Sequence, residues 1–199
     1  MKLITRTAGI VVCMAVGALV PAFAQAPAVE GKDVPASLVA YAESTLSAAA
    51  RTPAVVQFVE AQNARKARVQ DLKALDRRWA AALGVEPYMW DLLRNRLALV
   101  LVDFQYRHKF VTEAFAMDAQ GAIVAETNRT STYYKGEAEK FTAAFAAGTG
   151  AIWYGPAAYD DSTGETEIQV SVPVMKGTRA IGAICFGISL DRWEERKPE

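Results

Sequence analysis

The feature that most constrains this chain lies in its last third. There Ile168, Val170, Val172 and Val174 alternate with Gln169, Ser171 and Pro173. A period of two sends successive side chains to opposite faces of a strand, so this segment reads as a strand with one dry face. Pro173 donates no ladder hydrogen bond, which calls for an edge or a bulge. Lys176-Gly177 turns the chain into a closing strand. Ile184, Phe186, Ile188 and Leu190 form its bulky face; Ala183, Cys185, Gly187 and Ser189 form a face of small residues. The small face leaves room either for a helix to press close or for a cavity.

Two further strands precede this pair. Val111, Glu113, Phe115 and Met117 alternate with Thr112, Ala114 and Ala116. Asp118-Ala119-Gln120-Gly121 makes a turn, with Gly121 able to take a positive φ. Residues 122–127 return as the next strand. Residues 129–147 read as a loop and a short helix, with Phe141 and Phe145 four apart on one face. Ile152-Trp153-Tyr154 is a third short strand.

The N-terminal half is helical. Leu38, Tyr41, Ala42, Leu46 and Ala49 recur at helical spacing until Thr52-Pro53 interrupts them. A second run carries Val55, Val56, Val59, Ala67, Val69, Leu72, Leu75 and Trp79 and stops at Gly84. Its other face holds Arg65, Lys66, Arg68, Lys73, Arg77 and Arg78, the pattern of a solvated helix face. A third helix is predicted from Glu86-Pro87 to about Tyr106. Its segment Leu97–Val102 is apolar nearly all round, which predicts burial on more than one side and packing on the back of the sheet.

The first residues bear on location. Lys2 and Arg6 precede an apolar stretch from Ala8 to Val20; Pro21 breaks it, and Ala22-Phe23-Ala24 supplies small residues before a cut ahead of Gln25. That predicts a secretory signal peptide over residues 1–24, with an uncleaved anchor as the alternative. Residues 25–34 read as a flexible leader. Cleavage removes Lys2 and Arg6 and no acids, leaving 20 basic against 22 acidic residues, so no basic field exists to attract nucleic acid. The apolar segment Leu97–Val102 is too short to span a membrane. The expected mature protein is soluble and periplasmic.

Little in the chain promises catalysis. Cys185 is the one cysteine left after cleavage, which rules out an internal disulfide, a haem-attachment motif and a cysteine zinc cluster. It reads as a buried small apolar side chain. His108 is the only histidine and reads as a solvated helix-end residue. No Gly-x-Ser-x-Gly turn and no phosphate-binding glycine loop is present. No enzymatic activity and no cofactor is expected.

The segment VSVPVMKGTRAIGAICFGISLD resembles the end of a Cache, or PDC, sensor domain, an extracytoplasmic relative of PAS. Its Pro173-Val174, Gly177, Ile181-Gly182 and Ile188-Ser189-Leu190-Asp191 match that family's closing pattern. FAMDAQGAIVAET resembles the first hairpin, TSTYYKGEAEKF the segment lining the ligand pocket, and GPAAYDDSTGE the loop before the long hairpin. The resemblance covers about residues 86–191, and the N-terminal helices more loosely. It implies an α+β fold: an antiparallel PAS-like sheet with a long N-terminal helical segment packed on one face. It further implies one sensor domain over 35–199, helical over 35–108 and sheet over 109–191. The chain stops at Glu199, just after the closing strand, where receptor ectodomains continue to a membrane span; the resemblance thus implies a free-standing form.

The resemblance places the pocket between the sheet and the 129–159 segment. Arg129 is the candidate to grip a carboxylate. Tyr133 and Tyr134 offer flat faces and hydroxyls, and Trp153 and Tyr159 complete an aromatic wall. Asp160, or Asp161, pairs with an amine. For the 160–164 loop, ordinary turn formation is the competing reading, and it offers too few alternating acids for calcium.

Two functions remain. The first is a periplasmic, non-enzymatic sensor domain that binds a small polar metabolite (an amino acid, amine or carboxylate) and signals through a separate membrane-bound protein. The second is an interaction module with a filled pocket, forming a homodimer or docking on a membrane sensor through the Val55–Leu83 helix.

Overall fold

The structure, a computed structural model, describes residues 34–160 and 164–196. The predicted signal peptide, the leader up to Asp33, and Asp161 lie outside the described residues. Among the described residues, no helix is long and apolar enough to cross a membrane.

Six strands form an open antiparallel sheet: β1 (Val111–Asp118), β2 (Ile123–Glu126), β3 (Trp153–Tyr154), β4 (Ala158–Asp160), β5 (Glu165–Lys176) and β6 (Arg179–Ser189). Their order is β2-β1-β6-β5-β3, with β4 also paired to β5. The period-two reading of β5 holds: Ile168, Val170, Val172 and Val174 are all buried in one cluster with Ile184, Phe186 and Ile188 of β6. β3 pairs with β5 only at Ser171 and Val170, so Pro173 lies beyond it on an edge, and a bulge follows at Val174/Met175. Both conditions that a strand proline needs are met.

The first face of the sheet is covered by α1 (Ala36–Tyr41), which continues through the π-helical turn Ala42–Leu46 into α2 (Ser47–Ala50), and by α3 (Pro53–Asn63) and α6 (Arg96–Arg107). Leu38, Leu46, Val55, Val59, Leu97 and Leu101 bury on it. Most of the N-terminal helices thus pack on one face, as expected; Leu92 and Leu93, in the short helix Trp90–Arg94, rest instead against a second cluster on the opposite face, and as the main exception α4 (Val69–Ala81) buries Leu72 and Trp79 in that cluster.

That exception corrects the reading of Val55–Leu83 as one helix. The run breaks after Asn63, and Lys66 takes a left-handed φ of 49°. Asn63 fixes the break: its Nδ2 donates to Ile181 O at 2.8 Å, and its Oδ1 accepts from Ala119 N at 2.8 Å. The chain turns there from the first face to the second.

The third predicted helix also divides, into α5 (Trp90–Arg94) and α6. Asn95 makes the break by capping α6: its Oδ1 accepts from Ala98 N while its Nδ2 donates to Val124 O on β2, both at 2.9 Å. Burial of Leu97–Val102 on more than one side is not what the structure has. Leu99 is 59% exposed and Val102 40%, because α6 meets the sheet along one stripe and nothing among the described residues covers its back.

In β1, a bulge between Val111 and Glu113 shifts the expected alternation. Val111 joins the first-face cluster with Ala114 and Ala116, while Phe115 and Met117 bury on the second face. The β1–β2 turn forms as predicted, with Gly121 at φ 82°. Asp118 Oδ1 accepts from Gln120 N at 2.8 Å and Ala122 N at 3.0 Å, closing the turn.

Leu190 opens a final helix, α8 (Leu190–Glu195), capped by Ser189, rather than continuing β6. His108 is half-buried, not solvated. It stacks on Phe104 at 4.2 Å and shares a 2.9 Å hydrogen bond with the Tyr41 hydroxyl. Tyr41, Phe110 and Trp193 pack edge to face around it, tying α1 to α8.

Candidate functional site

The small-residue face of β6 is the centre of the second face. Its two ends differ. Toward Ala183 and Cys185, α7 (Glu139–Phe145) presses close with Phe141 and Ala144, and Trp79, Met89 and Tyr133 fill the remaining space. Toward Gly187 the side chains become polar. Glu113 lies opposite Gly187 on β1, Gln169 opposite it on β5, and Glu167 follows in the same phase. The Gly187 backbone carries no Cβ for a reason of space: one would lie 2.7 Å from both Glu167 Oε2 and Thr112 Oγ1, and 2.8 Å from Glu113 Cγ. Gln169 Nε2 donates to Glu113 Oε1 at 3.0 Å.

Opposite these acids stand two lysines. Lys135 and Lys140 hold their ammonium groups 5.6 and 5.9 Å from the centre of the Phe115 ring, which neighbours Glu113 on the same face. Lys135 is buried and donates to Thr132 Oγ1. Burial pushes the Glu113 carboxyl up; Lys140 opposes that shift, and Glu167 and Asp160 add to it. Burial pushes the Lys135 ammonium down, as does the neighbouring Lys140. Carboxylates and ammonium groups therefore face each other across a partly desolvated patch where their interactions are stronger than in water.

A buried hydroxyl beside this patch, Thr112 Oγ1, has no hydrogen-bond partner among the described residues. Glu126 on β2 is fully buried. Its Oε2 accepts from Thr130 N at 3.1 Å and Thr130 Oγ1 at 2.9 Å, while its Oε1 has no partner. Burial raises its pKa to about 7. The patch carries both signs of charge. It lacks an activated nucleophile: burial pushes the Cys185 thiol up to about 12, so it is protonated at neutral pH. Among the described residues, no group of three or more His, Cys, Asp or Glu side chains is placed to hold a metal ion.

The sequence-predicted residues are spread around this patch. Arg129 donates through one guanidinium nitrogen to Trp79 O at 2.6 Å and Ala82 O at 3.0 Å, at the C-terminus of α4. Tyr133 is buried against Trp79, ring centres 5.8 Å apart. Burial, reinforced by Asp118, pushes its phenol up to about 12. Tyr134 is half-buried with its ring 6.0 Å from Lys73 Nζ. The Tyr133 and Tyr134 amides both donate to Asp76 Oδ1 of α4, at 2.7 and 2.9 Å. Trp153 is buried in the second-face cluster, its strand position paired with Ser171. Asp160 lies within electrostatic reach of Glu113. Tyr159, one residue away on β4, is 65% exposed. Tyr133 and Trp153 thus share a cluster, Asp160 joins the acids, and Arg129 and Tyr159 stand apart.

Sequence reasoning passed over Glu113, Glu167, Lys135, Lys140 and Gly187. A signal was present for two of them. Glu113 shares the phase of the apolar Phe115 and Met117, a charge among inward-facing residues, and Glu167 shares the phase of Gln169 and Ser171, the β5 face opposite the dry one, which the structure covers as well. The lysines gave none, since they lie on a loop and a short helix whose orientation only the fold sets.

No protein-family model and no curated protein matches the sequence. Solved structures similar to the chain include the sensor domain of the V. cholerae histidine kinase DctB, at 15% identity and a TM-score of 0.41, over 50% of this chain and 39% of that one. The sensory domain of the Campylobacter jejuni chemoreceptor Tlp3 is similar at 14% identity and a TM-score of 0.41, over 79% of this chain and 65% of that one. The ligand-binding domain of the Pseudomonas aeruginosa PAO1 amino acid chemoreceptor PCTC, in complex with GABA, is similar at 14% identity and a TM-score of 0.40, over 77% and 62%. The chain thus spans less than two thirds of the length of each of these three.

Proposed function

We propose that this chain is a periplasmic, non-enzymatic sensor domain of the Cache type that binds a small polar metabolite on the second face of its sheet. The observation that carries the reading is the opposition of Glu113 and Glu167 to Lys135 and Lys140 around Gly187. Such a pattern suits an amino acid better than a simple amine or carboxylate, because each charge of a zwitterion meets its opposite. The segments that carry the Cache resemblance support it. FAMDAQGAIVAET spans the β1–β2 hairpin, TSTYYKGEAEKF crosses the second face, and VSVPVMKGTRAIGAICFGISLD makes up the end of β5, all of β6 and the start of α8. The N-terminal pattern over residues 1–24 supports export.

The mechanism in this reading is a shift of the 129–145 segment on binding. Asp76 and the Arg129 guanidinium tie that segment to α4. A ligand that moves the segment moves α4 with it, and a separate membrane-bound protein reads the change. The test is thermal stability against amino acids, amines and small carboxylates. A dose-dependent rise in melting temperature, lost in Glu113→Gln and in Lys140→Ala, supports the reading.

One observation favours the second reading, an interaction module. Leu99, Val102 and Tyr106 make an exposed apolar stripe down the back of α6. A flat response across the whole library, together with a concentration-dependent dimer that Leu99→Glu dissolves, selects that reading instead.

A further inference from the structure

A cleft of about 390 Å³ opens between α3, α5 and β2, and Val124, which packs with the first-face cluster, forms part of its wall. Another wall residue, Leu92, rests against the second-face cluster, but the cleft shares no lining residue with the patch of Glu113, Glu167, Lys135 and Lys140 around Gly187. Phe58 of α3 and Leu92 of α5 give it an apolar interior; Gln62, Arg65, Asp91 and Arg94 stand around it. The volume is in the range of small-molecule sites, and so is the composition of apolar walls with a few convergent polar groups.

The charge pattern narrows the class of ligand. Two guanidinium groups face one carboxylate. Among the described residues neither Arg65 nor Arg94 forms an ion pair, and both lack a hydrogen bond from the side chain. Arg94 is held in place all the same: its guanidinium lies on the Trp90 ring, 3.7 Å from the ring centre. Stacking of this kind occupies the flat face of the group and leaves its in-plane N–H donors for an anion. Asn95, the other polar group in the wall, has spent its side chain on Ala98 N and Val124 O. We propose that this cleft binds a small carboxylate with an apolar body, an aryl or branched-chain acid. Its carboxylate pairs with Arg65 and Arg94, and its body lies against Phe58 and Leu92. The site is independent of the amino-acid reading of the second face.

Phenylacetate is the probe, titrated calorimetrically into the purified protein, with phenethylamine and benzyl alcohol as the charge-reversed and neutral controls. The expected result is saturable binding of phenylacetate in one-to-one ratio, with the two controls at least about tenfold weaker. Two variants at exposed positions leave the core untouched: Arg65→Ala, in the turn after α3, removes one guanidinium, and Ala61→Trp, on α3, fills the cleft, whose wall includes Ala61. Each should weaken phenylacetate by about tenfold or more, while Lys140→Ala should not change it. Absence of saturable binding overturns the proposal. So does equal binding of phenethylamine, or binding that Arg65→Ala and Ala61→Trp both leave unchanged. Loss in Lys140→Ala with retention in Ala61→Trp overturns it as well, by moving the probe to the second face.

Discussion

Glu126 makes the pH response of this protein predictable. Its folded-state pKa is raised from 4.5 to about 7, chiefly by burial, with the two Thr130 hydrogen bonds opposing. A carboxyl with a raised folded pKa binds its proton more tightly when folded. The contribution of Glu126 to stability is therefore greatest below pH 4.5, falls as pH rises toward 7, and levels off above it. The gap between the two pKa values corresponds to about 3 kcal/mol. Glu126→Gln removes this titration. Its amide oxygen can keep the Thr130 bonds, but its NH₂ inherits the position of the unpartnered Oε1 at a cost of about 1–2 kcal/mol. The variant should thus be more stable than the parent at pH 8 by about 1–2 kcal/mol, and less stable at pH 4.5. Asp118, also raised by burial, slopes the same way in both proteins and cancels in the difference; Glu113, raised by burial too, repels Glu126 and so cancels only in part. Lys135, lowered chiefly by burial, acts between its depressed pKa and its usual 10.5, where stability rises with pH. The assay is urea unfolding at half-unit steps from pH 4.5 to 8. Parallel stability profiles for parent and variant would refute the reasoning, since they would mean that Glu126 is ionised, and content, where it lies.

Two other outcomes follow from the packing. Arg129→Ala removes two charge-assisted bonds to the last carbonyls of α4 and should cost about 2 kcal/mol in urea unfolding; a neutral result would mean that the capping is not formed in solution. Cys185, fully buried with its thiol pushed up to about 12, should react with a thiol reagent only as fast as the protein opens, so that mild urea accelerates labelling steeply; rapid labelling of the native protein would contradict its burial.

The strands were legible because their signal is local. The alternation in IQVSVPVM places each side chain without knowledge of its neighbours, and the β1–β2 turn needs only Asp118 and Gly121. The helical half was legible as helix but not as separate pieces. Its breaks at Asn63 and Asn95 depend on partners from the sheet, Ile181, Ala119 and Val124, which are distant in sequence. The bulge at Thr112 reversed the expected position of Val111 for a similar reason, since a bulge is a property of a strand pair. The site was partly legible. The resemblance pointed to the space between the sheet and the 129–159 segment; of the residues it named, Tyr133 and Trp153 pack in the second-face cluster and Asp160 lies within electrostatic reach of Glu113. The charged groups at its centre come from strands, a loop and a helix that only the fold brings together. Arg129 was conspicuous as a charge among aromatics, and the carbonyls it serves belong to a helix 47 residues earlier at the nearer one.

The aromatic knot at Tyr41, Phe110 and Trp193 has a mechanical side. Trp193 Nε1 donates to Ser37 Oγ at 3.3 Å, so the beginning and the end of the described fold touch. A force applied between these two ends would not shear the sheet along its strands. It would first peel α1 from α8, opening a handful of ring contacts one after another, a geometry that yields at low load. A tether on either side of the fold would therefore meet its weakest resistance at this seam, while the β5–β6 ladder beneath it stayed closed.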